Sequence, residues 1–174
     1  MEEWDIYDKN RIKTKKVVKR GIPLRSNEFH MVVHVCIINP HDQMLIQQRQ
    51  PSKDWYPNMW DLTAGGGAQS SERSSTAAER EVFEEIGLKV DLASVRPSFT
   101  INFERGFDDY YVITADVDIS KLSLQKSEVK NVKWVSKAEI VRMIENKEFI
   151  PYHISLIELI FDMKNGYGSH SNNC

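Results

Sequence analysis

His30 to Ile38 of the 174-residue chain is a long run rich in β-branched residues, and it predicts a strand. Asn39-Pro40-His41-Asp42 follows as a turn, and Gln43 to Gln48 then pairs back as the next strand of a hairpin. Upstream, Trp4 to Tyr7 and Ile12 to Lys19 read as two more strands around the turn residues Asp8-Lys9-Asn10. The period changes between Ser74 and Ile86: Ala78, Val82 and Ile86 recur every fourth residue, which predicts a helix with one apolar stripe. Beyond it, Lys89 to Val95, Ser98 to Phe103, Tyr110 to Val117 and Val129 to Val135 are expected strands. A helix from Lys137 to Asn146 follows, and Pro151 opens a last helix reaching Lys164. Asn165 to Cys174, rich in Gly, Ser and Asn, is expected to fray.

The helix predicted over 74–86 carries chemistry beside its apolar stripe. Glu81, Glu84 and Glu85 lie three and four residues apart and project from one face. Two like charges about 4 Å apart at an effective dielectric of about 20 repel by roughly 4 kcal/mol, so such a trio aimed into a cleft calls for a cation. Carboxylates without His or Cys neighbours favour Mg2+, with Mn2+ as the substitute, over zinc. Gly65-Gly66-Gly67, just upstream, offers backbone able to take positive φ and to approach a ligand closely. Gly66 is the best placed to turn a carbonyl to the metal or an N–H to phosphate. The helix start favours anions. Glu72 is expected to pair with Arg80 and fix the loop, and Gly87 to cap the helix in the left-handed conformation. A charge run alone is ordinarily a solvated helix face. The whole spacing, Gly-x5-Glu-x7-Arg-Glu-Val-Phe-Glu-Glu-Ile-Gly-Leu from Gly66 to Leu88, arises by chance less than about once in ten million windows, which rejects that explanation.

This segment resembles the Nudix box at every defined position. The resemblance implies an α/β/α sandwich around a mixed β-sheet, preceded here by an N-terminal β-hairpin extension, and metal-dependent hydrolysis of a nucleoside diphosphate linked to another group. Carried over residue by residue, Glu81, Glu84 and Glu85 resemble the metal ligands, with Gly66 beside them and Glu81 alternatively the base. Arg80 and Glu72 complete the catalytic set, while Arg49, Gly65 and Gly66 are expected at the substrate. Nudix enzymes also take a base from a later loop, which brings in Glu104, Asp108, Asp109 and Glu128. One departure is Ser71, where many members have Gly.

The stretches His30 to Asn39 and Trp55 to Gly66 are similar to the isopentenyl-diphosphate-isomerase-like branch of the superfamily. True isomerases carry a catalytic Cys and a metal-binding His before the box, and here those positions are Gly65 and Gly67. His30 matches another metal His of that branch, but a lone strand His is usually packed. Hydrolysis is therefore preferred, with isomerisation and nucleotide binding without catalysis as alternatives.

Composition narrows the setting. With 41% hydrophobic residues and no repeat, one core is expected: residues 1–27 as a β extension packed on it, 28–164 as the Nudix domain, and 165–174 as a flexible tail. A net charge of −2 gives no general attraction to nucleic acid or anionic membrane. Cys36 and Cys174 offer no disulfide framework, and the acidic start Met1-Glu2-Glu3-Trp4-Asp5 is no targeting signal, so a cytoplasmic location is expected. A homodimer is implied by the resemblance alone. The alternating Lys13, Lys15 and Lys16, with Lys19 and Arg20, read as a solvated strand face. Trp55, Tyr56, Trp60, Phe103, Phe107 and Tyr110 include groups able to stack on a base, with core packing the default for each.

Overall fold

The computed structural model describes residues 2–166 and 168–170. Two sheets form. Strands β1 (Glu3–Tyr7) and β2 (Lys13–Lys19) make an antiparallel pair. The main sheet holds β3 (His30–Ile38), β4 (Gln43–Arg49), β5 (Trp60–Asp61), β6 (Ala64–Gly67), β7 (Phe99–Phe103), β8 (Gly106–Thr114) and β9 (Val129–Ser136). Its order is β5-β4-β3-β8-β7, with β6 on β3 and β9 on β4. The sheet is mixed: β3 runs parallel to β8 from His30↔Gly106 to Ile38↔Thr114, whereas the β3/β6, β4/β9 and β7/β8 pairs are antiparallel.

Period-two alternation places the sheet between two helical layers. Val33, Val35 and Ile37 of β3 and Leu45 of β4 face helix α1 (Ser74–Ile86), meeting Ala77, Ala78, Val82 and Ile86. Cys36, Ile38, Met44 and Ile46 face the other way, towards α2 (Lys137–Glu145) and α3 (Ile154–Asp162), where Ile140, Met143, Leu156, Ile157 and Ile160 close the second core. The architecture is the expected α/β/α sandwich. Among the described residues no helix is long and apolar enough to cross a membrane.

Several elements differ from the expectation. Lys89 to Val95 is not a strand: Leu92 is buried, and its N–H donates to Glu79 Oε1 at 2.6 Å instead of to a neighbouring strand. The strand expected at Tyr110 starts at Gly106, and it accommodates the acidic pair Asp108-Asp109 because Asp109, fully buried, is bonded by Arg11, Ser74 and Thr100. Gly65 to Gly67, expected to supply backbone able to take positive φ, lie in strand β6, and none of the three takes a positive φ. The last helix begins at Ile154 behind His153, three residues after Pro151, and a 3-10 turn over Met163–Asn165 continues it. Of the expected tail, Tyr167 and residues 171–174, with Cys174, lie outside the described residues.

The β1/β2 pair is tied to the main body by more than its linker. Tyr7 bridges Phe29, Trp4 stacks on His30 with ring centroids 4.2 Å apart, and Asp5 reaches the loop before α1. This pair thereby forms one wall of the site built around α1.

Candidate active site on helix α1

The apolar stripe of α1 fixes its rotation, and the acids beside that stripe follow. Glu85 is four residues from Glu81 and adjacent to Ile86, so it is drawn under the sheet edge and is only 6% exposed. Its Oε2 accepts from Gln47 Nε2 at 2.9 Å and from the Gly65 N–H at 3.1 Å. Burial, then the neighbouring Glu81 charge, outweigh those donors and push the Glu85 carboxyl up to about 8. Burial also raises Glu81, against the pull of Arg80. The acids occupy the C-terminal half of α1, where the helix dipole is negative, disfavouring carboxylates and favouring a cation. Gly66 has a steric role: a Cβ there would fall on the Glu81 carboxylate.

The loop and the first half of α1 are held by a different set. Glu72 and Arg80 form the expected pair, a fork of Arg80 Nε to Oε1 at 2.7 Å and Nη2 to Oε2 at 2.9 Å. Arg80 also donates to the Gly67 carbonyl at 3.1 Å, and through Nη1 to Glu81 at 2.9 Å and Glu84 at 3.0 Å. Burial would raise the Glu72 carboxyl, but Arg80 and the Gln69 N–H more than offset it and the net shift is downward. Asp5 of β1 accepts from Ser70 Oγ at 2.9 Å and the Ser71 N–H at 2.8 Å, with Lys13 Nζ at 2.5 Å. Ser71, at the Gly position of the motif, is held at φ +73°. The helix start, expected to favour anions, meets one of the chain's own: Ser74 Oγ donates to the buried Asp109 carboxylate at 2.6 Å.

A cleft of about 120 Å³ opens beside the acids, lined by Glu81, Glu84, Glu85, Gly65 and Gly66 and by the cations Arg20, Arg49 and Lys53. Arg49 is where the sequence placed it, its Nε donating to the Trp55 carbonyl at 3.0 Å. Arg20, expected on a solvated face, is 56% exposed; it pairs with Glu2 at 2.6 Å and also lines the cleft. Lys53, paired with Glu128, was missed because it sits in an irregular segment. Of the four later acids considered as base, Glu128 alone lines this cleft. Asp109 is locked in its buried network, Asp108 lies 3.4 Å from His34, and the exposed Glu104 pairs with Arg105.

Among the described residues no three acidic, His or Cys side chains are grouped tightly enough to hold a metal ion. Glu81 and Glu84 both turn to Arg80 Nη1, and Glu85 turns to Gln47 and Gly65. The expected convergence of the trio is thus limited to a shared cleft, because each acid takes the nearest protein donor.

With that geometry in place, a family profile for the NUDIX domain matches residues 28–157. The chain belongs to the Nudix family. It is 47% identical over 170 residues to an uncharacterized Nudix hydrolase of Listeria innocua, covering 98% of this chain and 99% of that one. A second such protein, from Listeria monocytogenes, shares the same identity and coverage. In fold the chain is similar to the crystal structure of DR0079 from Deinococcus radiodurans, with TM-score 0.72, 23% identity, and 91% and 97% of the two chains covered. A MutT protein of Methanosarcina mazei gives TM-score 0.59 at 21% identity over 76% and 92%.

In this Nudix hydrolase the two positions that would distinguish an isomerase are closed to larger side chains. A Cβ at Gly67 would stand 2.8 Å from Trp4 Nε1, and one at Gly65 2.8 Å from the Val33 carbonyl and 2.9 Å from His34 Nδ1. His30 is packed between Trp4 and the edge-on ring of Phe103, and burial lowers its imidazole. The Nudix loop and helix, the Glu72–Arg80 fork and the three acids of the cleft come from one continuous piece of chain, whereas the cations of the cleft come from outside it.

Proposed function

We propose that this Nudix hydrolase cleaves a diphosphate linkage in a nucleoside diphosphate derivative with Mg2+ bound, Mn2+ being the substitute. The observation that carries the reading is Glu85: a buried carboxylate with two neutral donors that is pushed far from its ordinary ionisation, one helical turn from Glu81 in a cleft that Arg20, Arg49 and Lys53 also line.

The donor set fits a hard cation. Glu81, Glu84 and Glu85 offer oxygen alone, and Gly66 leaves the space into which Glu81 projects. These three acids would hold the ion, which when bound offsets their mutual repulsion, lowers the pKa of water and stabilises charge on phosphate oxygens. The remaining work falls to the chain itself. Arg20, Arg49 and Lys53, which line the cleft, bind phosphate oxygens and orient the linkage for in-line attack. Two carboxylates are candidates to take the proton of the attacking water: Glu81, as the alternative to its ligand role, and Glu128, which lines the cleft and pairs with Lys53. The Glu72–Arg80 fork positions the loop and does not touch substrate.

The test is a screen of nucleoside diphosphate derivatives with Mg2+ and with Mn2+, reading phosphate with and without added phosphatase. Metal-dependent release of phosphate or a monophosphate is expected. Isopentenyl diphosphate run alongside should give no allylic isomer; an allylic product, with no hydrolysis of any nucleotide, overturns the reading.

A further inference from the structure

A second, wider groove of about 590 Å³ adjoins the cleft, and Glu2, Glu84 and Gln125 line both. Phe83 forms part of its lining together with Gln69, Ser123 and Leu124. Phe83 stands off the apolar stripe of α1 and is 51% exposed, although the stripe beside it is fully buried. A single exposed apolar side chain is ordinary; an aromatic ring on the wall of a groove that continues the catalytic cleft is not. Lys89 Nζ lies over one face of the ring, 5.8 Å from its centroid.

The opposite wall is built onto the same helix end. Ser123 N–H donates to the Ile86 carbonyl at 3.1 Å, and Gln125 N–H to the Glu85 carbonyl at 2.9 Å. Gly87, at φ +71°, has Ser123 Cβ only 2.8 Å from where a Cβ would stand. The groove is therefore held in fixed relation to Glu84 and Glu85. Beside the carboxylates of Glu2 and Glu84 at the end shared with the cleft, its lining holds one flat ring and the carboxamides of Gln69 and Gln125, each carrying donors and an acceptor. A planar heterocycle with a polar edge matches that combination, and the stacking of bases on aromatic side chains tolerates any base.

We propose that the base of the substrate lies in this groove, stacked on Phe83 with its edge towards Gln69 and Gln125, while the diphosphate occupies the acid-lined cleft. The proposal rests on the nucleoside diphosphate reading above and names the surface that distinguishes a nucleotide from a prenyl or sugar diphosphate.

The experiment is equilibrium titration, in Mg2+, of the α,β-methylene analogues of ADP, GDP, CDP and UDP, with methylenediphosphonate as the base-free control. In the wild-type chain at least one nucleotide analogue should bind about tenfold or more tightly than the control. Phe83→Ala should weaken that analogue by about tenfold and leave the control unchanged, with Phe83→Tyr restoring it. Thermal melts of both variants verify folding. The proposal is overturned if all four analogues bind the wild type no better than the control, if the preference survives Phe83→Ala, or if Phe83→Ala weakens the control equally. Absence of metal-dependent turnover would instead break the hydrolase reading, and a Phe83-dependent base preference would persist without it.

Discussion

Two groups of buried and half-buried carboxylates meet at the Nudix loop and helix, and they are treated in opposite ways. Glu72 and Asp5 lie in or against the Nudix loop, and each accepts from a cation as well as from backbone or hydroxyl donors. Both are lowered in spite of their burial. Glu85 and Glu81 lie in the second half of α1; Glu85 has neutral donors only, and Glu81 shares Arg80 with three other acceptors. Both are raised. A carboxylate with its charge fully compensated is a structural clamp, whereas one buried without compensation is held at a cost in stability. That contrast separates the acids that build the loop from those that serve the cleft.

The largest test of the contrast is Glu85→Gln. Turnover should fall by about a thousandfold, matching the several kcal/mol that a bound cation contributes to transition-state charge, with circular dichroism unchanged. Retention of wild-type rates would remove Glu85 from the metal site. In chelator the same variant should be the more stable protein at alkaline pH. The Glu85 carboxyl is raised from about 4.3 in the unfolded chain to about 8. Its stabilising contribution is therefore complete below the unfolded value and declines as pH rises towards the folded one. Melting midpoints of wild type and variant should coincide near pH 4 and separate by pH 8, the wild type lower.

Gly66→Ala addresses the neighbouring acid. The added methyl meets the end of a flexible side chain, so Glu81 can swing aside and the fold survives. The cost falls on the site, as a loss of about tenfold or more in apparent Mg2+ affinity or rate, in line with displacing a metal ligand's support. A variant with unchanged Mg2+ dependence would show that the place of Glu81 does not matter.

Asp5→Asn probes the other side. It removes the charge facing Lys13 while keeping a similar shape, and should cost about 1–3 kcal/mol at neutral pH in chemical denaturation. Because Asp5 is lowered, its contribution is present above the unfolded value of about 3.9 and is lost as pH falls through the folded one. The gap between wild type and variant should close below about pH 4, the reverse of the Glu85 dependence. An equal gap at pH 3 and pH 7 would mean that Asp5 acts through shape and not charge.

How much of this was readable in the chain depends on whether local periodicity or remote contact decided it. Strand β3 and helix α1 have the bounds read from the sequence, His30–Ile38 and Ser74–Ile86, because the first is a long run rich in β-branched residues and the second repeats its apolar positions every fourth residue. Glu72 and Arg80 were legible as a pair by their place in the motif. Gly65 to Gly67 were not legible as a strand, since a residue without a side chain gives no period, and β3 supplies the pairing. Asp108-Asp109 hid the start of β8, because only Arg11, 98 residues away, and its companions explain a buried Asp109. Arg20 is the same kind of case: a strand-end cation becomes a cleft wall when Trp4 and Asp5 dock the hairpin against the loop.

The smallest predicted effect bears on how tightly the compensated side is built. Ser71 is held at φ +73°, a conformation costing a non-Gly residue about 1–2 kcal/mol. What holds it is the backbone N–H bond to Asp5, which glycine can also make. Ser71→Gly relieves the strain but gives the unfolded chain more freedom, worth about 0.4–1 kcal/mol in the opposite sense. The net should be a gain of about 0.5 kcal/mol and a melting midpoint higher by about 1–2 °C, with activity unchanged. The gain should vanish in the Asp5→Asn background if loss of the charged acceptor lets Ser71 relax out of the left-handed region. A gain that persists there would show that the loop is held in this conformation by the Glu72–Arg80 fork, and that Asp5 follows the shape of the loop instead of setting it.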